Sequence, residues 1–241
     1  MTSGMPLDST PKDNTPKRAL VVAAHPDDPD FGAGGTAALW TREGWEFFYL
    51  VCTNGAKGSS DPETNPEKLV RDRQEEQRRA AQALGVTDVF FLNHEDGELS
   101  PSRELLGEVV WHIRKVRPDA VFTHSTDMII SNRWINHMDH RTTGLTAVDA
   151  VYPTARDALN FPEHLAEGLA THKVRWIYIW GGNQATLDVD ITDVMDQKVQ
   201  ALLLHQSQFG AREGFLQRMK ERWADEDGRF REKFQVVELQ M

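Results

Sequence analysis

The chain has one cysteine in 241 residues. Cys52 therefore has no intramolecular disulfide partner, and nothing demands an oxidising compartment. It follows the apolar run Phe47 to Val51, where a buried strand thiol is the ordinary outcome. Long hydrophobic runs are missing too. No apolar stretch approaches the roughly 18 residues of a membrane-spanning helix, and the N-terminus lacks the charged-then-apolar order of a secretory signal. Together these absences predict a cytoplasmic protein. Basic clusters are also lacking: 27 Lys and Arg against 37 Asp and Glu give a formal net charge of −10, with the cations scattered among acids. Nucleic acid and anionic membranes are thereby poor partners, because both require clustered Lys and Arg to displace counterions.

Residues 1–17 (MTSGMPLDSTPKDNTPK) hold Ser, Thr, Pro and Asp with almost nothing to bury, the composition of a solvated tail. Residues 18–241 are expected to form one domain, since no break in composition divides them. Within it, short apolar runs alternate with longer helical patterns. Ala19 to Ala24, Phe47 to Cys52, Val89 to Leu92, Ala120 to Thr123 and Trp176 to Trp180 read as buried strands. Helices are predicted at Gly35 to Glu43, Pro66 to Leu84, Pro101 to Val116 and Asp139 to Val151, with Gly85 closing the second. Strands that are continuously apolar, separated by helices, indicate an α/β doubly wound domain with a mainly parallel sheet.

In such sheets ligands bind beyond the carboxyl ends of the strands. The segments there are His25-Pro26-Asp27-Asp28, Thr53-Asn54-Gly55, Asp96-Gly97, and His124 followed by His137-Met138-Asp139-His140. Imidazoles and a carboxylate drawn from the first and last make a three-ligand set that leaves a position for water, the pattern of catalytic zinc. Asp27, next to a ligand but not needed as one, suits the base that takes a proton from that water. Alternatively Asp27 and Asp28 cap the following helix. A second His-x-Asp-His cluster at the matching end of another strand argues against capping alone.

These motifs resemble the LmbE-like, or PIG-L-type, zinc N-deacetylases. The family's His-Pro-Asp-Asp and Gly-Gly stand here as His25 to Asp28 and Gly34-Gly35, and its His-Pro-Asp-His as His137 to His140, with Met138 replacing proline. By position, the resemblance implies one Zn2+ held by His25, Asp28 and His140, with Asp27 as general base. It implies that His137 stabilises the oxyanion or protonates the leaving amine, oriented by Asp139. The Arg-x-x-Glu-x-x-x-Ala-x-x-x-Leu-Gly helix is matched by Arg73, Glu76, Ala80, Leu84 and Gly85. Arg73 and Asp96 would then contact substrate. The implied substrate is a small N-acylated, sugar-like molecule and the implied assembly a homo-oligomer. Thr53 to Gly58 lacks an acidic residue that relatives commonly carry, which bears on substrate identity. An amidase acting on a larger thiol conjugate or antibiotic shares the same residues.

Rival readings are weaker. Gly32-Ala33-Gly34-Gly35-Thr36-Ala37 fits a dinucleotide fingerprint, but Asp27, Asp28 and Asp30 precede it and would repel phosphates. A non-catalytic metal module would not require Asp27. His94, His112, His164 and His172 read as surface or packing residues, and His205-Gln206-Ser207-Gln208 is assigned no chemical role. The stretch 127–136, with Ile129, Ile130 and Trp134, is expected to cover the substrate or to pack on a neighbouring subunit.

Overall fold

The computed structural model describes residues 17–131, 135–209 and 214–240. Five parallel strands form the centre: β1 (Arg18–Ala23), β2 (Glu46–Thr53), β3 (Asp88–His94), β4 (Ala120–His124) and β5 (Trp176–Trp180). Two more, β6 (Leu187–Asp190) and β7 (Arg231–Glu238), join antiparallel beyond β5, giving the order β3-β2-β1-β4-β5-β7-β6. The sequence pattern had shown the five parallel strands but not this antiparallel edge, whose β6 is four residues long and whose β7 mixes charged with apolar residues.

The helices are α1 (Asp28–Arg42), α2 (Pro66–Ala83), α3 (Arg103–Val116), α4 (Met138–Val151), α5 (Pro162–Ala166), α6 (Met195–Leu203), α7 (Gln206–Phe209) and α8 (Phe215–Trp223). Asn65 and Ser102 cap α2 and α3 by accepting the N–H groups of Lys68 and Leu105, satisfying amides that a helix start leaves without partners. Gly85, at φ +82, follows the end of α2 as expected.

Alternate residues of the central strands feed two apolar clusters. Ala19, Val21, Phe47 and Phe122 pack with residues of α1, α2 and α6 on one face. Leu20, Val22, Leu50 and Val121 pack with residues of α3 and α4 on the other. Both faces are therefore covered, which explains why the strands carry no polar alternation.

One predicted boundary shifts substantially. The first helix begins at Asp28 and not at Gly35, so the glycine-rich stretch lies inside α1. Those glycines serve close packing: a Cβ at Gly32 would come within 2.3 Å of the Trp180 ring, and one at Gly35 within 2.8 Å of Ile191. A stretch buried inside a helix is not the open loop that cradles pyrophosphate, and the dinucleotide reading fails on that ground.

Candidate active site

The chain reverses its winding between β1 and β4, and the crevice at such a switch point is where a doubly wound sheet accepts ligands. β1 delivers His25 and the start of α1 to that crevice, while β4 delivers His124 and the segment leading to α4. Asp28 Oδ2 accepts the His25 backbone N–H at 2.8 Å, which fixes the turn between strand and helix.

His25 Nδ1 lies 3.1 Å from Asp28 Oδ2 and 3.3 Å from His140 Nε2, and His140 Nε2 is 3.2 Å from Asp28 Oδ2. Donor atoms about 2.05 Å from a tetrahedral metal stand about 3.3 Å apart, so this triangle has the dimensions of a three-ligand zinc-type site. The same three residues form a group able to hold a metal ion, as do His25, His137 and Asp139. The first set fits the tetrahedral spacing better, because in the second His137 Nδ1 stands 3.8 Å from Asp139 Oδ2.

The opposite edge of His25 is held by carboxylates. Its Nε2 is 3.1 Å from both Asp139 Oδ2 and Asp96 Oδ1. A carboxylate behind a ligating imidazole fixes its tautomer and increases its basicity. Burial opposes protonation of His25, but hydrogen bonds to Asp139, Asp28 and Asp96 outweigh it and hold the group well above its ordinary value. Asp28 is the converse: burial pushes it up, yet His140 and His124 draw it well below the usual carboxylate range.

Asp27 lies beside this triangle with its backbone at φ +105. Burial pushes its carboxyl up to about 6, with Arg73 partly opposing at 3.3 Å from Oδ2. His137 is half-exposed, and its Nδ1 accepts the Asp139 backbone N–H at 3.1 Å, leaving Nε2 as the donor nitrogen. Burial and then the His25 charge lower its pKa.

His124 was given no role by the motifs, yet it belongs to the site. Its ring stacks on His140 at 4.2 Å and 15°, its Nε2 accepts the Ala24 N–H at 3.2 Å, and the same nitrogen is 3.6 Å from Asp28 Oδ2. Burial, reinforced by His140, holds it well below its ordinary pKa. The available signal was its place at the end of β4, across the switch point from β1. A cavity of about 330 Å³ opens next to these groups, lined by residues that include Asp28, His124, Ser125, Trp180 and Trp223.

Residues 20–151 match the model of a family described as PIG-L, GlcNAc-PI de-N-acetylase. The chain belongs to the PIG-L family. It is 34% identical over 199 residues to a diacetylchitobiose deacetylase of Thermococcus kodakarensis, covering 81% of this chain and 72% of that one. A 1D-myo-inositol 2-acetamido-2-deoxy-alpha-D-glucopyranoside deacetylase of Nocardioides sp. is 29% identical over 179 residues, 59% of this chain and 58% of the relative. Among solved structures, the N,N'-diacetylchitobiose deacetylase of Pyrococcus horikoshii in complex with an inhibitor superposes with a TM-score of 0.83 at 30% identity, covering 92% of this chain and 84% of that one.

The other PIG-L motif residues singled out in the sequence, Arg73, Asp96 and Asp139, lie around His25 and Asp27. Arg73 is buried, and its guanidinium donates to Gly55 O at 2.9 Å and Pro26 O at 2.7 Å, tying the loop after β2 to the turn that carries Asp27. Asp96 is buried as well, accepts the Lys57 N–H at 3.0 Å and faces His25, which draws its pKa down to about 2 against the cost of burial. Both were expected to contact substrate; in the structure Arg73 also donates to Pro26 O and Asp96 also faces His25, so both support the turn that carries His25 to Asp28. Asp139, expected to orient His137, is nearer to His25: 3.1 Å against 3.8 Å. Ile129 is buried and Ile130 exposed, whereas Trp134 lies outside the described residues.

Proposed function

We propose that this protein is a zinc-dependent hydrolase that removes an acetyl group from the nitrogen of an amino sugar or sugar conjugate. The observation that carries the reading is the triangle of His25, Asp28 and His140, with a buried carboxyl, Asp27, beside it. The activity of the similar deacetylases supports the acetyl group and the sugar.

His25 and His140 as imidazoles and Asp28 as carboxylate would hold the metal. When bound, such an ion acts as a Lewis acid on the amide carbonyl and lowers the pKa of water to about 7. Asp27 takes the proton of the water that attacks the amide carbon, and its elevated pKa suits it to both accept and return that proton near neutrality. The returned proton goes to the amine nitrogen as the C–N bond breaks. His137, whose Nδ1 is occupied by a backbone N–H, offers Nε2–H to the carbonyl oxygen as negative charge develops there. Asp139 and Asp96 keep His25 oriented.

The test is acetate release from N,N'-diacetylchitobiose and N-acetylglucosamine conjugates by zinc-loaded protein, with a chelator-treated control. Zinc-dependent release is the expected result. Turnover of N-acyl amino acids or peptides in place of every N-acetyl sugar would overturn it.

A further inference from the structure

Asp27 holds a backbone conformation that an L-residue rarely adopts, φ +105 and ψ −33, and such a conformation persists only where surroundings over-determine it. Its carbonyl accepts the N–H groups of Asp30 and Phe31 at 3.1 Å each, as the first turn of α1 requires. Its own N–H is claimed from outside α1: it donates to Gln77 Oε1 on α2 at 2.7 Å.

The same amide of Gln77 donates through Nε2 to Asp30 Oδ2 at 2.8 Å. That oxygen also faces His205 Nε2 at 2.8 Å. Gln77, Asp30 and His205 are all fully buried. A flipped Gln77 amide would set NH2 against an N–H and oxygen against a carboxylate, so the network admits one orientation. Beyond His205, the Ser207 N–H and hydroxyl donate to the two Glu76 oxygens at 2.8 and 2.6 Å, and Gln208 Nε2 donates to Gly58 O at 3.1 Å. The far end is thus tied to α2, one residue from Gln77.

We infer that Gln77, Asp30 and His205 form a buried hydrogen-bond relay that sets the backbone of Asp27 and thereby aims its carboxylate at the water to be activated. They are positioning residues, and the inference rests on Asp27 being the base of the proposed reaction. Three fully buried polar side chains need a reason to be here, and the amide at the end of their hydrogen-bond chain belongs to the base. Without Gln77 the part-buried Asp27 N–H loses its acceptor, and the residue relaxes toward an ordinary φ, swinging the carboxylate away. A displacement of about 1 Å at a reacting group can cost about 10²-fold in rate.

The test compares Gln77→Met, His205→Leu and the donor-conserving His205→Gln with wild type, using amide hydrogen exchange, bound zinc per chain, and kcat and KM for whichever N-acetyl sugar the wild type hydrolyses. In Gln77→Met the Asp27 amide should lose protection while the Ala37 and Ala38 amides of α1 keep theirs. Zinc content should stay unchanged, KM should stay within about twofold, and kcat should fall by about 10–10²-fold. His205→Leu should fall in the same direction and His205→Gln should recover most of the loss. If Gln77→Met does not fold, Gln77→Asn carries the same readouts. An Asp27 amide that stays protected, or a kcat per bound zinc that stays at the wild-type level in folded variants, would overturn the relay. The exchange measurement needs no substrate, so a wild type that releases no acetate would defeat the proposed function and leave the relay to be judged on exchange alone.

Discussion

Asp139 Oδ2 lies 3.1 Å from His25 Nε2, a residue 114 positions away, and 3.8 Å from Nδ1 of its near neighbour His137. With Gly97 and Leu99 donating backbone N–H groups to it, the carboxylate is a fixed support for the His25 imidazole. Asp139→Asn should therefore weaken zinc binding by about 10–100-fold, the usual effect of removing a carboxylate behind a ligating histidine. Competition with a chromophoric chelator measures this. Wild-type affinity with a loss confined to kcat would return Asp139 to His137.

The charge on His25 links metal uptake to pH. In the metal-free protein Asp139, Asp28 and Asp96 hold its pKa well above the ordinary 6.5, so a metal at Nδ1 competes with a proton. Zinc binding should release protons, and affinity should fall as the solution is acidified. The raised value also means that His25 stabilises the metal-free fold below pH of about 6.5 and loses that contribution as pH rises through its folded pKa. Calorimetry in buffers of different ionisation enthalpy counts the protons. Binding with no proton exchange at pH 7 would contradict the assignment.

Asp27 should be separable from the ligands. Asp27→Asn is expected to keep bound zinc and lose about 10²–10⁴ in kcat, the range for general acid–base catalysis. Elemental analysis alongside steady-state kinetics distinguishes loss of metal from loss of the base.

Lys198 and Glu232 form an ion pair in which both side chains are essentially inaccessible, and Glu232 also accepts the N–H groups of Gly35 and Thr36 at 2.8 Å each. Lys198→Met strands a buried carboxylate and should destabilise the fold by about 3–5 kcal/mol. The double variant Lys198→Met/Glu232→Gln should recover part of this. Chemical denaturation of the three proteins gives the comparison, and a single variant as stable as wild type would show that the carboxylate finds another partner.

Gly144 sits where α4 crosses β4, and a Cβ there would come within 2.3 Å of the His124 carbonyl oxygen, a backbone atom that cannot swing aside. Gly144→Ala should force α4 outward, costing about 1–3 kcal/mol and displacing His140 from the triangle. Lower thermal stability together with reduced zinc content is expected. Full zinc binding would mean that α4 adjusts without moving its first turn.

The parts of the site legible in sequence are those carried by short segments at strand ends. His25 to Asp28 and His137 to His140 each lie within four residues of one another, and continuous apolar runs locate the parallel strands that bring the two segments to one crevice. The partners of those residues were not legible. His124 is placed on the rim by its position after the fourth apolar run, but only pairing of β4 with β1 sets it against Ala24 and His140. Arg73 on a charged helix gives no sign that it is buried, because its acceptors, Gly55 O and Pro26 O, are backbone atoms on other loops.

By itself, then, the sequence determined the α/β class, the family, and which candidate ligand and base groups stand at the strand ends, since strand hydrophobicity and motif chemistry are local properties. Tertiary structure alone decided which carboxylate supports which histidine, why the glycines lie inside α1, and how His205, Asp30 and Gln77 reach the Asp27 amide. The physical reason is that a hydrogen bond between residues tens or hundreds of positions apart depends on the register of the sheet and the packing of helices across it. Neither quantity is written in any one segment of the chain.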